Sequence, residues 1–159
     1  MRISGIENYI GGADNVKALS LIQGEQRVFG GQILKPDGKA QDITNFEIVT
    51  KVDFYLADVV TTSRNMTISN LVKSTEAKTH TIEAVVVSAD EGKFTITVPK
   101  DFYVTSEGAQ IEIDTDLTVN VPMAVMYIDY DTDSTSADSS IRASRMVLVI
   151  RRGSPSVGL

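Results

Sequence analysis

Apolar residues along this chain recur mainly at every second position, in stretches separated by short polar turns. A period of two is the side-chain period of a β-strand. The clearest alternation runs from Gln110 to Val121 and predicts a strand with one buried and one wet face. Its buried face would consist of Ile111, Ile113, Leu117, Val119 and Val121. Lys93 to Val98 predicts a second clean strand, which Pro99 ends because proline has no N–H to give to a sheet.

Further apolar stretches predict further strands, and none predicts a helix longer than a turn or two. The unbroken run Ala84 to Val87 predicts burial on both faces, and Gly30-Gly31 predicts a bulge or a close backbone approach. Phe46 to Thr61 predicts a strand in its first half and a looser continuation beyond Asp58. The remaining stretches are Lys17 to Gln23, Arg27 to Lys35, Thr79 to Ser88, Met123 to Asp131 and Met146 to Ile150, with a strand or an irregular insertion at Ser63 to Lys78.

The stretches number about eight or nine and together predict an all-β, immunoglobulin-like β-sandwich. The predicted sandwich domain covers residues 16–152, between an extended N-terminal arm, 1–15, and a C-terminal tail, 153–159. The arm is expected to fold onto a neighbouring subunit, because four bulky apolar residues are more than a solvated tail usually has. These residues are Ile3, Ile6, Tyr9 and Ile10. A frayed terminus is the alternative.

The composition favours sheets and excludes several classes of protein. The 159 residues include 18 Val, 15 Ile and 15 Thr against 8 Leu, and β-branched side chains suit a pleated surface. The lack of Cys excludes a disulfide framework and a thiolate metal cluster. The longest apolar run, Met123 to Ile128, is too short for a membrane-spanning helix. A net charge of −6 argues against nucleic acid as a partner.

His80 is the single imidazole of the chain, and its surroundings predict no catalytic site. It lies between Thr79 and Thr81 at the start of a predicted strand, and no Gly-x-Ser-x-Gly nucleophile elbow occurs. We interpret His80 as a surface histidine in a strand. The protein is therefore expected not to be an enzyme, and to need neither a cofactor nor a small-molecule substrate.

Asp129, Asp131 and Asp133 stand at alternate positions and could supply oxygen ligands to Ca²⁺. The helix–loop–helix calcium loop also requires Gly at its sixth position and Glu at its twelfth. Those positions hold Ser134 and Ser140 here, so that loop is excluded. A structural cation and a solvated loop remain alternatives for the three carboxylates.

Arg142, Arg145, Arg151 and Arg152 form the one basic block of an otherwise acidic chain. Such a block suits a contact between unlike charged surfaces of neighbouring subunits. Four solvated arginines are the equally weighted alternative. These arginines and the four apolar residues of the arm are the candidate protein-interface residues.

Segments 23–25 (Gln-Gly-Glu) and 37–45 (Asp-Gly-Lys-Ala-Gln-Asp-Ile-Thr-Asn) resemble the opening of a family of tailed-bacteriophage structural domains. These are the immunoglobulin-like domains at the N-terminus of baseplate upper proteins. Their pattern is Gln-Gly-Asp, a strand, and then Asp-Gly-x-Pro-x-Asp-Leu-Thr-Gly. Ala40, Ile43 and Asn45 replace the proline, the leucine and the final glycine, and Asn tolerates left-handed backbone better than most residues. Segment 92–99 is similar to the family's glycine-containing turn and the strand after it.

The resemblance covers about residues 16 to 152 and implies a structural component of a bacteriophage virion, in the tail or baseplate, that acts through protein–protein packing. It implies other virion proteins and copies of this chain as partners, and the virion, assembled in the host cytoplasm, as location. A capsid decoration or cement protein would use the same sandwich and arm. A carbohydrate-binding or adhesin module is a further alternative.

Overall fold

The computed structural model describes residues 2–4, 15–17, 19–62, 64–113, 118–132 and 140–153. Within these ranges the chain forms β-strands in two sheets and no helix, so the predicted all-β class is confirmed. The strands are β1 Arg2–Ser4, β2 Asn15–Lys17, β3 Ser20–Ile22, β4 Arg27–Leu34, β5 Glu47–Thr62, β6 Asn65–Lys73, β7 His80–Glu83, β8 Val85–Ser88, β9 Lys93–Val98, β10 Val121–Asp131 and β11 Ser140–Arg151. No helix among the described residues is long and apolar enough to cross a membrane.

The strands divide between a four-stranded and a seven-stranded sheet. The smaller sheet has the order β1-β4-β9-β8, and the larger has the order β2-β6-β5-β10-β11-β3 with β7 also paired to β5. Only β3, which runs parallel to β11, departs from antiparallel pairing among the described strands. The chain changes sheets between β7 and β8, where Ala84 donates its N–H to the carbonyl oxygen of Ile48 at 3.0 Å. The stretch predicted as one strand from Thr79 to Ser88 is therefore two strands in different sheets.

The apolar interior lies on both faces of the larger sheet. Successive side chains of a strand point to opposite faces, and in β10 they belong alternately to two clusters. The cluster between the sheets includes Ala124, Met126, Ile128 and Tyr130 of β10. The cluster on the opposite face includes Val121, Met123 and Val125. The central strand is thus buried on both faces, as its nearly continuous apolar sequence favours.

The long strand β5 corrects one prediction and decides another. It continues for 16 residues without loosening beyond Asp58, so the expected loose continuation is wrong. The physical reason is pairing with β6, which continues along β5 from Asp58 to Thr62 after the pairing with β10 ends at Ala57. The segment Ser63 to Lys78, for which a strand or an insertion was open, contains the strand β6.

The cleanest alternation, Gln110 to Val121, forms no strand over its described part except at its last residue, Val121, which is buried as predicted and begins β10. Ile111 and Ile113 are buried as predicted, whereas Val119 is exposed. The amide Nε2 of Gln23 donates to the carbonyl oxygen of Ile111 at 2.8 Å, in place of a strand neighbour. The alternating burial of Ile111 and Ile113 therefore occurs in a loop, which the side chain of Gln23 binds through a hydrogen bond. Residues 114–117 lie outside the described part.

Candidate functional site

The predicted N-terminal arm begins as a strand on the chain's own smaller sheet. β1 pairs antiparallel with β4 and places Ile3 opposite Ile33. Ile6, Tyr9 and Ile10 lie outside the described residues. The contact of the arm with a neighbouring subunit stays a prediction.

The four arginines lie along β11 and just beyond its end, but they do not form one patch. Arg142 and Arg145 lie in its first half, where the Arg145 guanidinium carbon is 6.0 Å from the ring centre of Tyr127. Arg151 ends the strand, and Arg152 is exposed beside a cleft. A strand rises about 3.3 Å per residue, so positions 145 and 151 are about 20 Å apart. The basic block is thus two separate positive positions.

The carboxylate of Asp129 is largely buried and has one ammonium group near it. The ammonium nitrogen of Lys51 is 3.9 Å from Asp129 Oδ2, and Arg142 is opposite Asp129 in the β10–β11 register. Among the described residues, no group of three or more His, Cys, Asp or Glu side chains is placed to hold a metal ion. Asp131 ends β10, and Asp133 lies outside the described residues, so the cation alternative stays a prediction.

His80 lies in a strand, as interpreted from sequence, since it begins β7, and it is half-buried. Its ring nitrogen Nε2 is 2.6 Å from the carbonyl oxygen of Phe102, and its ring meets Phe54 edge-on with centroids 6.0 Å apart. A neutral imidazole donates from one nitrogen only, so this contact places the proton on Nε2. The ring therefore fastens β7 to the segment that contains Phe102.

Two tyrosines have pKa values far above neutrality. Burial, followed by the hydrogen bond with Tyr127, raises the pKa of Tyr55 to about 12. Burial, followed by the nearby Glu76 carboxylate, raises the pKa of Tyr103 to about 12 as well. Both phenols are therefore uncharged at neutral pH and act there as packing and hydrogen-bonding groups.

The motif that carries the family resemblance forms two closed turns around a core residue. Asp37 Oδ1 accepts the N–H of Lys39 at 2.9 Å, and Asp42 Oδ1 accepts the N–H of Thr44 at 2.9 Å. The hydrogen bonds from Thr44 hold the pKa of Asp42 below its usual range. Ile43, the middle residue of the second turn, is fully buried.

Asn45 of the same motif does not need left-handed backbone. Apart from glycine, only Asn70 and Asn120 have positive φ among the described residues. The tolerance of asparagine for that conformation therefore does not explain this departure from the family pattern. The residues of the motif are explained by the turns that they form in this fold. The family resemblance stays a prediction.

β8 is an exposed, apolar edge of the four-stranded sheet. Val85, Val86 and Val87 are 62, 44 and 64 % exposed, so the prediction that Ala84 to Val87 is buried on both faces is wrong. The sheet change at Ala84 is the physical reason, because it places β8 at an edge with β9 as its one strand neighbour among the described residues. We call Val85 to Ser88 the valine edge.

A groove of about 340 Å³ adjoins the valine edge. Gly30, Val87 and Thr95 are among the residues that line it. The register of β4 and β9 is continuous from residue 27 to 32, so the bulge predicted at Gly30-Gly31 is wrong. A Cβ at Gly30 would meet no atom within 4 Å, and its φ lies outside the left-handed region. Neither packing nor conformation within the described chain requires glycine at position 30. We call this feature the Gly30 groove.

A second exposed apolar surface lies on the hairpin of β5 and β6. Val60 on β5 and Leu71 and Val72 on β6 are each half-exposed or more. Val119 is also exposed, and it lies near the hairpin because the N–H of Val59 donates to the carbonyl oxygen of Thr118 at 3.0 Å. Leu71 and Val72 are successive residues of β6 and point to opposite faces, so these four residues, which we call the hairpin surface, are spread over both faces of the hairpin.

The sequence matches no protein-family model, and a search of the curated proteins finds no match. The fold, its exposed surfaces and the resemblance of segments 23–25 and 37–45 are therefore the basis for assigning a function. Sequence patterns missed the valine edge, because a continuous apolar run is also what a fully buried strand contains. The close backbone approach that glycine within a strand can indicate is not found at Gly30, where no atom lies within 4 Å of a Cβ.

Proposed function

We propose that this chain is a structural protein of a tailed-bacteriophage particle, a subunit of the tail or baseplate that acts by packing against other proteins. We also propose that its two sheets form an immunoglobulin-like sandwich. Support for the sandwich comes from the apolar cluster to which both sheets contribute, including Phe29 and Phe94 from the smaller sheet and Phe54 from the larger. The virion assignment follows from the family resemblance of segments 23–25 and 37–45.

The observation that supports an assembly role most directly is the valine edge. Natural sheet proteins protect their edges with charged residues, proline, bulges or covering loops. β8 consists of three exposed valines and a serine, with no charge and no proline. An irregularity between Val86 and Ser88 is the one such device in its pairing with β9. Exposed apolar patches of this kind mark protein–protein contact sites.

The hairpin surface gives the proposed subunit a second place of contact. It lies on the larger sheet, whereas the valine edge belongs to the smaller one. Head-to-tail assemblies join two different surface patches of each subunit. Two separate apolar surfaces therefore fit a subunit within an ordered array better than a binding module with one ligand site.

Location in purified particles tests this function. We expect mass spectrometry to detect the chain in phage particles from its source, and gold-labelled antibodies to mark the tail or baseplate in electron micrographs. Labelling of the capsid would support the decoration or cement alternative. Absence of the chain from purified particles would contradict every virion role.

The arm has a separate test. We expect deletion of residues 1–15 to reduce incorporation of the chain into particles while the purified domain still folds. Circular dichroism of the truncated protein provides the folding control. Normal incorporation of a folded, truncated chain would refute the arm hypothesis and leave the virion role in place.

A further inference from the structure

We propose that two copies of this chain pack their smaller sheets face to face about a two-fold axis, with Val85 of each copy against Gly30 of the other. The contact uses the outer face of the smaller sheet, which we define as the outward side chains of β4, β9 and β8. The inference rests on the proposed function, since it names one neighbour of the subunit. The hairpin surface remains for a different neighbour.

A row of three residues across the outer face provides the geometry. The strand registers place Gly30 of β4 and Val85 of β8 on either side of Thr95 in β9. Paired residues of neighbouring strands point to the same face. Phe94 and Ile96, which flank Thr95 along β9, are buried between the sheets, so the row faces outward. Adjacent strands are about 4.8 Å apart, so Gly30 and Val85 each lie about 5 Å from Thr95.

The row contains one depression and one projection. No atom lies within 4 Å of a Cβ at Gly30, and the Gly30 groove opens there, whereas Val85 is 62 % exposed. Glycine inside a strand weakens it, and usually marks a bulge, a bend or the close approach of a ligand or another backbone. The continuous register excludes a bulge at Gly30, and nothing described within the chain approaches it. A close approach from outside the chain accounts for the glycine.

A two-fold axis along β9 matches the depression of one copy to the projection of the other. Rotation about an axis that lies in the contact plane and passes over Thr95 exchanges the two sides of the row. Gly30 of each copy then faces Val85 of the other. Facing sheets cross at about 30°, which shifts residues only about 5 Å from the axis by about 2–3 Å. Because the row is complementary to itself, a second copy is the occupant that fits it, through the same patch on both subunits.

The charges of the outer face also favour a second copy. Among the outward side chains of β4, β9 and β8, only Lys93 is charged, and its ammonium nitrogen lies 2.9 Å from a carboxylate oxygen of Glu91. The whole chain has a net charge of −6, so two copies repel each other least where they meet on an uncharged face. A strongly basic or acidic partner would gain little from ion pairs on this face.

The size of the outer face determines how strong the contact is. Three strands about 4.8 Å apart, and about six residues long, present a face of roughly 15 Å by 20 Å. Each partner of a standard interface buries about 800 Å². The contact is therefore weak between free chains and becomes effective in an assembly whose other contacts hold the copies side by side.

Self-association of the full-length chain tests the inference. At concentrations up to about 1 mM, we expect sedimentation equilibrium to show reversible dimers. Amide NMR shifts should change most at the row of Gly30, Thr95 and Val85 on dilution. Gly30→Val should weaken dimerisation at least about tenfold, because the new side chain meets Val85 of the other copy. Thr67→Val, at an exposed position of β6 in the larger sheet, should leave dimerisation unchanged.

A mixture of two variants tests the facing of Gly30 and Val85. Val85→Gly alone should also weaken dimerisation, because the depression stays empty. When Gly30→Val and Val85→Gly chains are mixed, each row again has one valine against one glycine at both contacts. We expect mixed dimers at about the level of the original chain, although each variant alone is mainly monomeric. Circular dichroism provides the folding control, and Val85→Ala replaces Val85→Gly if the latter is unfolded.

Three results would overturn the inference. They are a chain that stays monomeric at about 1 mM, dimerisation that Gly30→Val leaves unchanged, and folded variants that stay monomeric when mixed. Detection of the chain in purified particles together with any of these would leave the proposed function intact. Dimerisation through this row by a chain that is absent from particles would refute the virion role alone.

Discussion

Gly92 is the position at which one methyl group should do the most damage to the fold. It lies in the turn between β8 and β9 with a φ of +69°. A Cβ at this position would lie 2.6 Å from the carbonyl oxygens of both Gln41 and Ile33. Those oxygens cannot easily move, because the Ile33 oxygen accepts the N–H of Gln41 at 3.0 Å and the Ile33 N–H donates to Gly92 at 2.9 Å.

The expected loss of stability for Gly92→Ala has two parts. An L-residue in left-handed backbone costs about 1 kcal/mol. Displacing the two backbone segments costs about 1–3 kcal/mol, as for other overpacked sites. The free energy of unfolding should therefore fall by about 2–4 kcal/mol, a large share of the about 5–15 kcal/mol that holds a typical domain together.

Two other glycines separate these parts. Gly38 has a φ of +86° and open space around a Cβ, so Gly38→Ala should lose only the conformational part, about 1 kcal/mol. Gly30 has open space and no positive φ, so Gly30→Ala should be neutral or gain up to about 0.5 kcal/mol.

Urea unfolding, followed by circular dichroism, measures this series. With a slope of about 2 kcal/mol per molar urea, the midpoint for Gly92→Ala should fall by about 1–2 M. If Gly92→Ala and Gly38→Ala unfold at the same urea concentration, the proposed clash is refuted. Destabilisation of Gly30→Ala as large as that of Gly92→Ala would refute the reasoning as a whole.

Three further predictions concern the core and its charges. Thr50 is fully buried and its hydroxyl has no partner among the described residues, so Thr50→Val should raise the free energy of unfolding by about 1 kcal/mol in urea titrations; a loss would show that the hydroxyl is hydrogen-bonded. The Tyr103 pKa is about 12 in the folded chain against 10.0 for a free tyrosine, so stability present below pH 10 should decline towards pH 12 by up to about 2–3 kcal/mol. Tyr103→Phe should remove this part of the decline and leave the part due to Tyr55, whose pKa is also raised to about 12, and an unchanged profile would contradict the shift. Lys51→Met should lower the free energy of unfolding by less than about 1 kcal/mol, because the lysine of the pair with Asp129 is mostly exposed. Thermal unfolding of the variant and the original chain measures this difference, and a larger loss would contradict the prediction.

Sequence patterns predicted the local elements that depend on neighbouring residues. β4 and β9 match their predicted strands to within a residue, and Phe94, Ile96 and Val98 form the predicted buried face. The turn at Pro36 to Lys39 is confirmed by the hydrogen bond from Lys35 N–H to the Lys39 carbonyl at 2.8 Å. These features need only alternation and turn chemistry, which the sequence contains.

Position within a sheet could not be predicted in the same way. Ala84 to Val87 and Met123 to Ile128 are both continuous apolar runs. The second lies in β10 between two strands and is almost wholly buried, whereas the first lies largely in β8 at an edge and is exposed. The difference depends on which distant strands pair, and on the sheet change at Ala84. The candidate site was missed for this reason, because its valines have the pattern of a core strand.

The exposed valines couple the stability of this chain to its assembly. Full burial of a valine side chain contributes about 1.5–3 kcal/mol, and the isolated chain gains only part of this at Val85 and Val87, which are mostly exposed. A second copy packed on the outer face of the smaller sheet would cover both side chains. The partner-bound chain should therefore unfold at a higher temperature than the free chain, by an amount that grows with partner concentration. Replacing Val85 and Val87 with threonine should remove much of this increase while changing the stability of the free chain little, since the two side chains already contact water. If the valines instead stabilise the free chain, the threonine variant will unfold more easily on its own, and the increase on binding the partner will not change.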